Sequence, residues 1–324
     1  MSKMLRLEKF EGFGNVKMAE VDIPTPAEEQ VLVRVNRSLI SRGSELFRRY
    51  VMEEAVSPDI MGYSDTGEIV EVGSALEGIE PGQRANAVAP HAQYVVGSPL
   101  GIKPTAVVLP DELSYEKATF IGLATSSVMW MRTTPIQPGD TVVILGQGIV
   151  GTLCAQTVRE RNPGRIITVD AQALRCDISR KLGVDEVINC SETDSVAAVR
   201  ELTDGNGADV VVECVGGFAG VKSFEQAQQM VKGDGIIHLI ALYQGEPLTF
   251  DSSTMMSKML IAGIRVPEPR SQHMLDAMQM LIDGTIKVDD IITHRLPWQQ
   301  TPDAYHLLYN HPDEALGVIL EWDE

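Results

Sequence analysis

Residues 141–170 read TVVILGQGIVGTLCAQTVRERNPGRIITVD. Val142, Val143, Ile144 and Leu145 form a short apolar run, suited to a parallel strand buried on both faces. Gly146, Gly148 and Gly151 follow at once as G-x-G-x-x-G. A helical stretch of about a dozen residues comes next, and Ile166 to Val169 make a second apolar strand ending in Asp170. Each part has a physical job. Gly146 allows a tight turn, Gly148 lets a pyrophosphate approach the backbone, and Gly151 lets helix and strand pack closely. The helix N-terminus, at Ile149 and Val150, offers unpaired N–H groups and a partial positive charge to phosphates. Asp170 lies about 20 residues past the glycines, where a carboxylate accepts hydrogen bonds from an adenosine ribose. Strand, glycines, helix, strand and acid fall in register, so the segment predicts dinucleotide binding.

The chain has 324 residues, enough for two domains. Hydrophobic residues make up 44%, which excludes a disordered chain. A net charge of −18 argues against nucleic acid or an anionic membrane as partner. The N-terminal MSKMLRLEKF has no apolar core of signal-peptide length, and no window reads as a membrane span. A cytoplasmic location is therefore expected. Cys154, Cys176, Cys190 and Cys214 show no C-x-x-C spacing, so they are expected as buried thiols rather than disulfides or zinc ligands.

Residues 1–123 read as short strands and turns, the mark of a mainly antiparallel β domain. Val31 to Val35 and Glu68 to Val72 alternate apolar and polar, and His91 to Val96 reads as another strand. Ser38 to Tyr50 reads as a polar loop leading into a short helix. Residues 114–133 read as a helical crossover capped by Ser114. From 140 to about 264 strands and helices alternate as in a doubly wound α/β sheet. Six strands are expected: Thr141–Leu145, Ile166–Val169, Glu186–Ile188, Val210–Glu213, Gly235–Leu239 and Met259–Ile264. The tail, 265–324, reads as two helices and two strands returning to the first domain.

At this point the chain resembles the medium-chain dehydrogenase/reductase family, the zinc-type alcohol and polyol dehydrogenases, over nearly its whole length. The resemblance rests on Gly62 and Gly67 followed by Glu71-Val72-Gly73, then Pro81-Gly82-Gln83-Arg84 and His91-Ala92-Gln93-Tyr94-Val95. It continues through Leu109-Pro110-Asp111, Pro138-Gly139-Asp140, Lys181-Leu182-Gly183-Val184-Asp185, Glu213-Cys214-Val215-Gly216 and Gly317-Val318-Ile319-Leu320. It implies a GroES-like catalytic domain over 1–123, completed by 265–324, and a Rossmann dinucleotide domain over 124–264. Homodimers or homotetramers are usual in the family, and Met259 to Ile264 is the apolar edge best placed to pair.

The departures from the family bear on chemistry. Its catalytic zinc is usually held by a cysteine in a C-G-[ST]-D-like segment, a histidine in G-H-E, and a third ligand farther on. Here Arg42 stands at the cysteine position in Ser41-Arg42-Gly43-Ser44-Glu45, and Tyr63 at the histidine position in Gly62-Tyr63-Ser64. Gly122-Leu123-Ala124-Thr125 brings no cysteine near the third position. The resemblance is thus to a zinc-free member, and no metal is expected. Tyr63 is the first candidate to polarise a carbonyl, or else a core aromatic. Ser44 matches the family's relay hydroxyl, or caps a helix. Arg42 is a fixed cation that can polarise a carbonyl or hold an anionic group, or else a surface arginine, paired with Glu45. His91 sits where the family lines its pocket, or is structural. Glu45, Arg48 and Arg49 read as solvated. For the cofactor, NAD(H), the resemblance carries over to Gly146, Gly148, Ile149, Val150, Gly151, Asp170, Arg175, Val215, Gly216 and Thr125.

The resemblance implies an NAD-dependent, zinc-independent oxidoreductase interconverting a secondary alcohol and a ketone on a small polar substrate, and by analogy with the zinc-type relatives that substrate is a sugar, cyclitol or polyol. The alternatives are a zinc-free enoyl or quinone reductase, a non-catalytic NAD(H)-binding redox sensor, and an epimerase that retains NAD.

Overall fold

The strand Thr141–Leu145 is apolar because both of its faces are covered. Val143 and Leu145 join one buried cluster with Ile167, Val169, Val211 and Ile237. Val142 and Ile144 join another with Ile166, Val210 and Val212. Successive side chains on a strand point to opposite faces, so two cores demand an unbroken apolar run.

The computed structural model describes residues 2–101, 104–241 and 247–322. The chain divides into two compact units, one of Met1–Gly122, Pro269–Gly284 and Ile292–Glu324, the other of Leu123–Glu268 and Thr285–Ile291. In the second, six strands pair in parallel in the order Glu186–Asn189, Arg165–Asp170, Thr141–Leu145, Ala208–Glu213, Val231–Leu239, Met259–Ala262. This is the Rossmann order, with its reversal beside Thr141–Leu145. All six expected strands form. Val231–Leu239 starts earlier than expected, and Met259–Ala262 stops short of Ile264. Met259–Ala262 is the edge strand, and Met259, Leu260 and the following Ile264 are exposed. No helix is long and apolar enough to cross a membrane among the described residues.

In the first unit, Lys3–Lys9 and Val16–Asp22 form a two-stranded antiparallel hairpin that the sequence pattern did not single out. A seven-stranded sheet centres on Val31–Leu39, which pairs with Asp65–Val72, Tyr94–Gly97 and Gly317–Glu321. It is antiparallel except where Ile292–Pro297 runs parallel to Gly317–Glu321. The strand expected from His91 begins only at Tyr94, and His91 lies in the bend before it. Ser114 caps Tyr115–Ala118 as expected, its hydroxyl accepting from the Lys117 N–H.

The glycine turn explains why one particular methyl group is excluded. A Cβ on Gly151 would lie 1.8 Å from the Gly146 carbonyl oxygen. A Cβ on Gly148 would meet nothing within 4 Å. Gly151→Ala is therefore expected to lower the urea midpoint, reflecting a loss of about 1–3 kcal/mol of stability as overpacking does. Gly148→Ala should leave the midpoint alone and weaken dinucleotide binding. Equal stability of the Gly151→Ala and wild-type proteins would show that the helix can shift freely off the strand.

Candidate active site

The segment Ser41–Tyr50 begins the site. Arg42–Tyr50 is helical, and at its end the Val51 N–H reaches the Leu46 carbonyl, five residues back. Such widened turns need a local reason and concentrate at functional sites. Glu45 supplies one here, because its side chain turns back on the helix start. Its Oε1 accepts the Ser41 N–H at 2.9 Å. Ser41 is the residue before the first turn, so an otherwise unpaired N–H is satisfied.

Glu45 is fully buried, against the expectation of a solvated side chain. It pairs inward rather than with Arg42. Its Oε2 takes His91 Nε2 at 2.9 Å, and the Tyr305 hydroxyl donates to the same oxygen. A carboxylate without water is tolerable only with donors of this kind. The Arg42 guanidinium lies over the Phe47 ring, 5.3 Å from its centroid.

Tyr63 is half-buried and donates to Ser41 Oγ at 2.5 Å. Burial pushes the Tyr63 phenol up from its usual value and the Glu45 carboxylate adds to this, while Ser41, Ser44 and Arg49 pull it back. The phenol therefore keeps its proton at neutral pH and can donate it. Gly62, just before it, has φ +125°, and a Cβ there would lie 2.6 Å from the His91 nitrogen. Glycine at that position lets the Tyr63 segment and the His91 bend approach.

His91 is fully buried with both ring nitrogens engaged, Nδ1 with Ser38 Oγ at 2.9 Å. Both nitrogens are spent on protein, so direct catalysis by His91 is replaced by a supporting place behind Glu45. Of the four expected catalytic residues, Tyr63 and Ser44 come together, Arg42 turns onto Phe47, and His91 stands behind. Sequence reasoning passed over Ser41, Glu45 and Tyr305. The four-residue spacing of Ser41 and Glu45 at a helix start was a usable signal. Tyr305, on the tail helix Thr301–Asn310, had none.

In the second unit, Gly146 takes φ +85° and its N–H bonds the Val169 carbonyl at 2.7 Å. Gly148 precedes the helix Ile149–Thr157, and the space above it is open. Asp170 is held by the Gln147 N–H at 2.6 Å and the Gln172 N–H at 2.8 Å, one on each carboxylate oxygen. Each oxygen keeps a lone pair for a hydroxyl donor. Arg175 is nearly buried, not exposed, with NH1 3.6 Å from Asp170. Its Nε and NH2 have no hydrogen-bond partner among the described residues. A nucleotide fits this set: an open glycine edge, a fixed carboxylate and buried unpaired guanidinium donors. Val215 is exposed, Gly216 has φ +62° ahead of the helix Gly217–Met230, and Thr125 is buried in Ile121–Thr133. The cysteines are free thiols. Burial, with Asp170 adding, pushes the Cys176 thiol up to about 11, which suits an inert thiol.

Asp65 is fully buried beside this network, and neither carboxylate oxygen has a hydrogen-bond partner. Burial, with Glu45 adding, holds its carboxyl well above the usual carboxylate range. The unfolded chain releases this proton at the usual value, about 3.9, and the folded one keeps it. Stability from this group is therefore full below that value and falls as pH rises beyond it. Asp65→Asn imitates the protonated acid. Its urea midpoint should match wild type near pH 4 and exceed it at pH 7–8. A gain of the same size at both pH values would mean that Asp65 is not the titrating group.

Comparison with known proteins bears on this arrangement. Residues 150–282 match a family model described as zinc-binding dehydrogenase. L-threonine 3-dehydrogenase of Pyrococcus abyssi is 28% identical, over 94% of this chain and 95% of its own. Sorbitol dehydrogenase of Bacillus subtilis is 26% identical, over 94% of each. Among solved structures, a Sinorhizobium meliloti 1021 protein described as a zinc-binding dehydrogenase and bound to NADP superposes with a TM-score of 0.83. It shares 23% identity, covering 99% of this chain and 100% of that one. With the Rossmann order and the glycine turn already in place, the chain is similar over nearly its whole length to zinc-type alcohol and polyol dehydrogenases of the medium-chain dehydrogenase/reductase family.

Proposed function

We propose that this dehydrogenase-type oxidoreductase works with NAD(H) and without zinc, interconverting a secondary alcohol and its ketone on a small polar substrate of the sugar, cyclitol or polyol kind. The observation that carries the reading is the Tyr63 phenol, bonded to Ser41 and influenced by Ser44, at the position where the family's G-H-E segment has its histidine. The substrate class follows the sorbitol dehydrogenase likeness and is analogy.

Zinc wants four ligands from Cys, His and carboxylates. Arg42 has no lone pair to give, Gly122–Thr125 brings no cysteine, and His91 and Glu45 are engaged with each other. This donor set does not fit the metal. A bound nicotinamide would supply or accept the hydride. The chain's own part is the proton. In ketone reduction the Tyr63 hydroxyl donates to the carbonyl oxygen, stabilising the alkoxide as it forms. Ser44, the more exposed hydroxyl, is positioned to return a proton to the phenol; alcohol oxidation runs the same transfers backwards. Removing a donor of this type typically costs a hundredfold or more in turnover, about 3 kcal/mol. Tyr63→Phe should show that loss with NADH still bound, and wild-type turnover should survive a chelator. Stoichiometric zinc whose removal stops turnover would defeat the reading, as would full turnover in Tyr63→Phe.

The cofactor choice rests on Asp170. Its carboxylate repels a 2′-phosphate and accepts from free ribose hydroxyls. Neighbours of this fold are bound to NADP in one case and NADH in another, and Arg175 lies beside Asp170, 3.6 Å away. Dissociation constants measured side by side should favour NADH over NADPH. Asp170→Ala should narrow the gap, because Arg175 is then left without its counter-charge. Tighter NADPH binding by wild type would sink the assignment.

A further inference from the structure

We infer that Glu45 and Tyr305 are positioning residues for Tyr63, acting through Ser41. The inference rests on the role given to Tyr63 above. It comes from following protons through the buried hydrogen bonds of the first unit. Trp322 Nε1 can only donate, and it donates to Ser38 Oγ at 2.9 Å. Ser38 then spends its own proton on His91 Nδ1, 2.9 Å away. With Nδ1 assigned as the acceptor, the ring proton sits on Nε2 and is donated to Glu45 Oε2.

Glu45 thus collects three donors: His91 Nε2–H, the Tyr305 hydroxyl and the Ser41 N–H. They come from three separate places in the sequence, the His91 bend, the tail helix and the start of the Arg42–Tyr50 helix. Together they fix the carboxylate, and the carboxylate fixes Ser41. Ser41 Oγ in turn receives the Tyr63 hydroxyl. Charged and titratable groups around the pair are few. Tyr63 feels Glu45 and Arg49 from the Arg42–Tyr50 helix, and Tyr305 feels Glu45, Arg49 and Asp65. His91 Nδ1 lies 3.9 Å from Asp65. A carboxylate at Glu45 therefore does two things: it orients the acceptor of the phenol proton, and its charge helps to keep that proton on the phenol.

The full chain labelled with 13Cζ-tyrosine tests this without knowledge of the substrate. It has seven tyrosines, and the Tyr63 signal is the one missing in Tyr63→Phe. Glu45→Gln keeps the shape and an oxygen for the Ser41 N–H while removing the charge. Its Tyr63 signal should move, and the midpoint of its titration should fall. Tyr305→Phe deletes one hydroxyl and leaves the carboxylate with two donors, so it decides the matter if Glu45→Gln does not fold. Its Tyr63 signal should also move. Melting temperatures that fall while the Tyr63 signal and midpoint stay at their wild-type values in the folded variants would overturn the inference, leaving a purely structural network. The catalytic role of Tyr63 is judged separately, by turnover of Tyr63→Phe.

Discussion

A carboxylate cut off from water has to be given donors, and the first unit is arranged around that requirement at Glu45. Its partners come from the helix it sits on, from the His91 bend and from the tail helix Thr301–Asn310. The tail therefore does more than cover a core. Tyr305 packs among Tyr50 and His91, with ring centroids 5.8 and 6.5 Å away, and brings its hydroxyl to the carboxylate. The widened helix, the positive φ at Gly62 and the bend at His91 each place one donor or acceptor of the same network.

The second unit solves a different problem with backbone rather than buried charge. A dinucleotide carries phosphates and hydroxyls, and the strand–glycine–helix turn offers N–H groups, open space at Gly148 and a fixed acid at Asp170. Asp170 does not hang free from the end of its strand. Two backbone N–H groups hold it in place, and Arg175 balances its charge. Two of the same arginine's donors are buried with no hydrogen-bond partner among the described residues.

Much of this was legible in the residues. The period-two apolar runs, the spacing of Gly146, Gly148 and Gly151, and the acid at Asp170 are local features, and local patterns report local structure well. The departures at Arg42 and Tyr63 were legible too, since a residue that cannot ligate zinc says so by its chemistry. The hairpin Lys3–Lys9 with Val16–Asp22 was missed because its strands are half-exposed and mix charges with apolar residues.

The sequence by itself determined the Rossmann sheet and the glycine turn, and it raised the expectation that Arg42, Tyr63 and Gly122–Thr125 replace the family's usual ligand residues. Only the tertiary structure decided where Glu45 points, that His91 is spent behind it, and that Tyr305 completes the set. A solvated and a buried glutamate look alike in one dimension. Burial is set by what packs over a side chain, and here the covering residues lie 46 and 260 positions away. No local pattern carries information over such separations, and the energy of an unpaired buried charge then dictates the rest.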